Sequence, residues 1–158
     1  MQEDPPSGTK TPRRVTTRRG VLLGVAVLSG TAAARWYNIG ADITKGTLTV
    51  QDAHAAATQG SITLIDIRRP DEWARTGVGL GALPIDMRDT DFVAQLLTHV
   101  GGKDAPIALI CARGVRSRGL SKRLASAGFT HIIDVPEGML GSGAGPGWLG
   151  AGLPVTPS

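Results

Sequence analysis

Three short apolar runs constrain this chain more than any other feature: Ile62-Thr-Leu-Ile65, Pro106-Ile-Ala-Leu-Ile110 and His131-Ile-Ile-Asp-Val135. Each is rich in β-branched residues and too short for a buried helix, so each reads as a buried strand. The segments between them have helix signals. Asp52 is placed to cap a helix ending near Gly60, and Pro70-Asp-Glu-Trp-Ala puts proline and acids in a first turn. Asp89 or Asp91 precedes an apolar face of Phe92, Val93, Leu96, Leu97 and Val100. Ser117–Ala127 sets Leu120 and Leu124 one turn apart before Gly128 stops the helix. Thr47–Val50 and Ala82–Ile85 add two short strands. The expected fold is α/β: one domain with a central, mostly parallel five-stranded sheet, helices on both faces, and Pro106–Ile110 in the middle.

A chain of 158 residues suits one such domain with terminal material, and 41% apolar with 19% charged residues is a globular composition. Seven of the 22 glycines fall between Gly138 and Gly152, which marks that stretch as a loop, either a lid or a plain surface connection. The sequence pI of about 9.8 raises the question of nucleic acid. Residues 1–34 hold five of the 17 basic residues and two of the 13 acidic ones, which leaves 12 against 11 in the remainder. With 4% aromatics and no basic-aromatic interleaving, no nucleic-acid partner is expected.

The basic excess sits in what reads as an address. Arg18-Arg19 directly precedes the apolar run Val21–Leu28, and Ala32-Ala33-Ala34 supplies an A-x-A arrangement. This is the pattern of a signal peptide of twin-arginine type, over 1–34, with cleavage expected after about Ala34 and a linker over 35–46. Gly20–Ala34 makes only roughly 22 Å of helix, short of a full span. The domain over 47–155 is therefore expected to be periplasmic or exported, with the twin-arginine export machinery as a transient partner, or else anchored to the outer face of the membrane.

Cys111 is the only cysteine, which excludes an intrachain disulfide. It follows the central strand, where open parallel sheets place their ligand crevices, and Cys111–Arg116 forms the turn into a helix starting at about Ser117. A helix start offers free N–H groups and partial positive charge, and a curl around the sulfur adds more donors. Gly114 permits positive φ in that curl. Arg113 and Arg116 add fixed charge, and Asp104–Asp134 encloses no acid but also holds Arg118, Lys122 and Arg123. Each factor favours the thiolate, a nucleophile able to accept a sulfane sulfur from an anionic donor.

Cys111-x-x-Gly114-x-Arg116-Ser117 resembles the active-site loop of the rhodanese-like sulfurtransferases. Asp66-Ile-Arg68 with Glu72-Trp73 resembles that family's acidic motif. Glu137-Gly138-Met139 stands where the family often has a glycine pair, and Gly147-Trp148-Leu149 with Gly152-Leu153-Pro154-Val155 resembles its closing segment. The resemblance covers about Thr47–Val155. It implies a persulfide mechanism: Cys111 takes a sulfane sulfur from thiosulfate, polysulfide or a persulfide and passes it to a thiol, a cyanide or a partner protein. Ala112, Arg113, Gly114, Val115, Arg116 and Ser117 would form the binding loop, with Asp66, Arg68 and Glu72 as its support. No metal and no cofactor is called for.

The family's common Gly-His-Ile-x-Gly-Ala is replaced here by Thr76-Gly77-Val78-Gly79-Leu80-Gly81-Ala82, so no histidine base is assigned. His54, His99 and His131 read as surface or structural residues. A cysteine phosphatase is disfavoured because Arg116 lies five residues after Cys111, and such a loop resembles His-Cys-x₅-Arg with arginine at six. A non-catalytic carrier, sensor or partner-binding module of the same fold is the other alternative.

Overall fold

The computed structural model describes Met1 and residues 46–158. The expected signal segment 1–34, and the linker 35–46 apart from Gly46, lie outside the described residues.

Among the described residues eleven elements follow in order: α1 (Val50–Thr58), β1 (Thr63–Asp66), α2 (Pro70–Thr76), β2 (Val78–Gly79), β3 (Ala82–Pro84), α3 (Phe92–His99), β4 (Ile107–Ile110), α4 (Val115–Ser126), β5 (Ile132–Val135), α5 (Gly147–Gly150) and β6 (Val155–Thr156). The main sheet is parallel throughout, in the order β3-β1-β4-β5. Successive strand residues point to opposite faces, and both faces are covered. Leu64, Ala108, Ile110, Ile133 and Val135 pack with Val50, Ala53 and Ala56 of α1 and with Trp148 of α5. Ile65, Ile107 and Leu109 pack on the other side with Phe92 and Leu96 of α3 and Leu120 and Leu124 of α4. Each fully buried Leu or Ile contributes about 1.5–3 kcal/mol. The apolar runs are unbroken along β4 because that strand is buried on both faces.

The sheet has four strands rather than the expected five. Thr47–Val50 forms no strand: Thr47 makes one parallel bridge to Asp134, flanked by bonds from Asp134 N to Gly46 O (2.9 Å) and from Leu48 N to Asp134 O (3.0 Å). Thr49 then caps α1 by accepting from Asp52 N at 3.1 Å, so the chain leaves the sheet for a helix. The expected cap Asp52 is instead in the first turn, where its carboxylate accepts from Thr49 Oγ1. Asp91 does precede α3, but its side chain accepts from Gln95 and leaves the cap unmade. Of the expected α3 stripe, Phe92, Leu96 and Val100 are buried, and Val93 and Leu97 face outward. A small antiparallel pair, β2 with β6, closes the last segment onto Val78–Gly79.

Candidate active site

β4 delivers its last residue, Ile110, to the carboxyl edge of the sheet, and Cys111 is the next residue. The chain after it is fixed from outside its own helix. Cys111 O accepts from Met139 N at 2.8 Å, and Ala112 O accepts from Leu140 N at 2.9 Å. Gly114 occupies the N-cap position of α4 with φ +77°, and a Cβ there would run into the Pro136 carbonyl. Only glycine fits both demands. Its N–H donates to Cys111 Sγ at 3.2 Å. Ser117 Oγ lies 3.6 Å from the same sulfur and donates to Gly114 O.

The loop is therefore shorter than the sequence suggests. α4 begins at Val115 rather than near Ser117, so Val115, Arg116 and Ser117 form its first turn. The cysteine is buried at 1% exposure, with the helix start directed toward it. Ala112 is half-buried, Arg113 points outward with Nη1 on Gly141 O (3.3 Å), and Val115 is 76% exposed.

Arg116 is the cation aimed at the site. Glu72 holds it through two parallel bonds, Nη1 to Oε2 and Nη2 to Oε1, each 2.7 Å. Those bonds, outweighing the opposing effect of burial, hold the Glu72 carboxyl down at about 2. The same partner raises Arg116 further above its usual range. Glu72 also accepts from Arg69 N, so one carboxylate starts α2 and fixes the arginine of the loop.

Asp66 and Arg68 are the most deeply buried of the expected support residues, at 0% and 1% exposure. They bond to each other through Nη2 and Oδ2 at 2.7 Å. The remaining guanidinium donors go to Thr76 Oγ1 (2.8 Å) and Gly77 O (2.7 Å). The pair thus fastens the C-terminal end of α2 to the end of β1, and α2 in turn presents Glu72. Neither residue hydrogen-bonds to the cysteine loop.

Three features of the site were not found from the sequence. Asp86-Met87-Arg88, after β3, repeats Asp66-Ile67-Arg68 in bonding: Arg88 N donates to Asp86 Oδ1 at 3.0 Å, where Arg68 N donates to Asp66 Oδ1 at 3.1 Å. The Arg88 bonds hold the Asp86 carboxyl below its usual value. Arg69, Glu72, Met87, Arg88 and Arg116 line a cavity of about 370 Å³. The repeated Asp-x-Arg at a strand end was the available signal. Second, Glu137 accepts from Val50 N (3.1 Å) and Gly147 N (3.2 Å), tying together the starts of α1 and α5. Its place beside the expected glycine position marked it. Third, Asp134 lies under the first turn of α4 with Oδ1 unpartnered among the described residues, and burial raises its carboxyl while Ser117 and Arg118 lower it less. No sequence signal points to that.

The histidines stand apart. His54 bonds Leu80 O and meets Trp148 edge-on, and His131 bonds Asp104 O. Within the glycine-rich stretch, Met139 and Trp148 are fully buried and Leu140 is 44% exposed.

A parallel sheet with a glycine-turned cysteine loop at its carboxyl edge defines a class of single-cysteine α/β domains. Residues 49–141 match the rhodanese-like domain family, over more than half of the chain, and the chain belongs to that family. Solved structures of similar fold include the Alr3790 protein from Anabaena sp. (20% identity, 69% of this chain and 90% of that one, TM-score 0.56). A rhodanese-like domain protein from Staphylococcus aureus matches at 23% identity over 70% and 97% of the two chains, with TM-score 0.52. A polysulfide-sulfur transferase homodimer from Wolinella succinogenes matches at 24% identity over 79% and 88%, with TM-score 0.55. At these identities the likeness is one of fold.

Proposed function

We propose that this domain transfers sulfane sulfur through a persulfide on Cys111. The observation that carries the reading is the cradle around the sulfur: the Gly114 N–H at 3.2 Å, the helix start behind it, and Arg116 held by Glu72. Family membership and a polysulfide-sulfur transferase among the structures of like fold support it.

In the first step the Cys111 thiolate attacks the outer sulfur of thiosulfate. A new S–S bond forms, the old one breaks, and its electron pair leaves on sulfite. A persulfide anion then sits where amide donors and the helix start favour negative charge. In the second step an acceptor thiol attacks the outer sulfur, and the electrons of the broken S–S bond return to Cys111. The acceptor becomes the persulfide and keeps its proton. Gly114 N–H and Arg116 serve the anion in both steps, and no base is needed once the thiolate is present.

Intact-mass measurement after incubation with thiosulfate tests this. The expected result is a gain of one sulfur atom, removed by cyanide with thiocyanate release and abolished by Cys111→Ser. A mass gain that survives Cys111→Ser, or none with thiosulfate and polysulfide alike, refutes the mechanism. Arylphosphate hydrolysis without thiocyanate formation would assign the cysteine to phosphate chemistry instead.

A further inference from the structure

Eight arginines lie among the described residues of the domain, and their pairing is uneven. Arg68, Arg69, Arg75, Arg88 and Arg116 each have a carboxylate within salt-bridge distance. Arg113, Arg118 and Arg123 have none among the described residues, nor has Lys122, and all four are exposed. These four flank or continue the cysteine loop along α4, in a stretch with no acid between Asp104 and Asp134. Asp134 itself is buried beneath the helix.

Two apolar residues adjoin the cations. Val115 is 76% exposed, and Leu140, whose N–H bonds Ala112 of the loop, is 44% exposed. Val115, Arg118 and Lys122 recur at helical spacing, on one side of α4. Gly119 is exposed on the same helix, and a Cβ there would meet nothing within 4 Å. The fold does not require that glycine, which costs the helix about 1 kcal/mol, whereas a surface approaching α4 closely gains from it.

The charge also extends too far for a small donor. Lys122 is seven residues into α4, about 10 Å along the axis from Val115. A thiosulfate at Cys111 cannot touch both. Nucleic acid is disfavoured because the face carries no exposed aromatic to stack a base: Phe92, Phe129 and Trp148 are buried and Trp73 is half-buried. A membrane is disfavoured because the exposed side of α4 has Val115 as its one large apolar residue.

We propose that Arg113, Val115, Arg118 and Lys122, with Leu140, form a docking surface for a protein acceptor that presents a protruding cysteine within an acidic, partly apolar patch. This rests on the sulfur-transfer reading and names its partner by chemistry. The buried Cys111 persulfide is reached by a thiol carried on a protrusion, and the cationic face orients and speeds its approach.

The test uses protein loaded from thiosulfate and two cysteine peptides alike except that glutamates in one replace lysines in the other. 2-Mercaptoethanol serves as an uncharged acceptor. Loading must succeed first; its failure refutes sulfur transfer and this proposal together. With loading intact, the acidic peptide is expected to remove sulfur at least about tenfold faster than the basic one, the ratio shrinking as salt rises. Arg118→Glu with Lys122→Glu is expected to invert the preference, each peptide rate being read relative to the same variant's rate with 2-mercaptoethanol. Equal peptide rates, a preference indifferent to salt, or one that survives the charge reversal would overturn the docking surface. Salt dependence in the unaltered protein decides the matter even if the double variant folds poorly. Salt-sensitive binding of a single-stranded oligonucleotide, without any peptide preference, would give the face to nucleic acid and equally overturn it.

Discussion

Glu72 shows how one side chain connects two parts of the site far apart in sequence. Its carboxylate holds the Arg116 guanidinium at two points and also closes the first turn of α2. Because Arg116 and the α2 amide lower its folded value to about 2, from an ordinary 4.5, its contribution to stability is complete above the ordinary value. It is lost as pH falls through about 2. Glu72→Gln is therefore expected to cost about 1–2 kcal/mol at pH 7, the solvent-facing side of Arg116 moderating the effect. The gap from the unaltered protein should close as denaturation is repeated toward pH 2, and a gap constant with pH would contradict the assignment. The sequence named both residues, Glu72 as support and Arg116 in the loop, but nothing in either motif states that they touch. Their contact spans 44 positions and depends on how α2 is set against β1.

At the scale of elements, the cysteine loop owes its shape to the segment after β5. Gly138, with φ +70°, lies so close to Ala112 that a Cβ would come within 2.5 Å of its carbonyl oxygen. Gly138→Ala is expected to cost about 1–3 kcal/mol and to pull the loop off its two amide supports. The sign of the chemistry then separates two effects: alkylation of Cys111 by iodoacetamide should speed up as the sulfur emerges, while loading from thiosulfate slows. Unchanged rates of both would show that the loop keeps its shape without that turn. The starts and ends of elements were the least legible part of the sequence. Thr49 outcompetes Asp52 as a cap because the chain is still extended at Thr49 (φ −69°, ψ 163°). α4 starts two residues early because Gly114 supplies a left-handed N-cap that no side-chain capping rule announces. β2 and β6, each a residue pair, have no period to detect.

For the molecule as a whole, the apolar runs sufficed to give the class of fold and its parallel sheet, because strands buried on both faces leave unbroken hydrophobic stretches. What they could not give was the polar fastening between layers. Asp66 and Arg68 form a fully buried pair that satisfies one another and the end of α2. Arg68→Met should destabilise the domain by about 3–5 kcal/mol, since Asp66 would remain buried without a partner. Adding Asp66→Leu should recover a large part of that loss, as measured by chemical denaturation. If the double variant is as unstable as the single one, the pair holds the fold through the α2 bonds rather than through its own charges. A chain read residue by residue does not say which partners an Asp-x-Arg takes; the packed sheet sets these two against each other and against the end of α2.

The two amides that hold Cys111 and Ala112 also bear on the order in which the protein is made. Met139 and Leu140 are synthesised 28 residues after the carbonyls they bind. A nascent chain that has finished β4 and α4 already holds Gly114, the helix start and Arg116, but the carbonyls of Cys111 and Ala112 gain these partners only when β5 has docked beside β4 and the following turn has come round. Closing a loop of that length is an entropic cost met late in assembly. The last fastening of the cysteine loop is thus supplied by the segment after β5, and a copy that stops short of it lacks both supports.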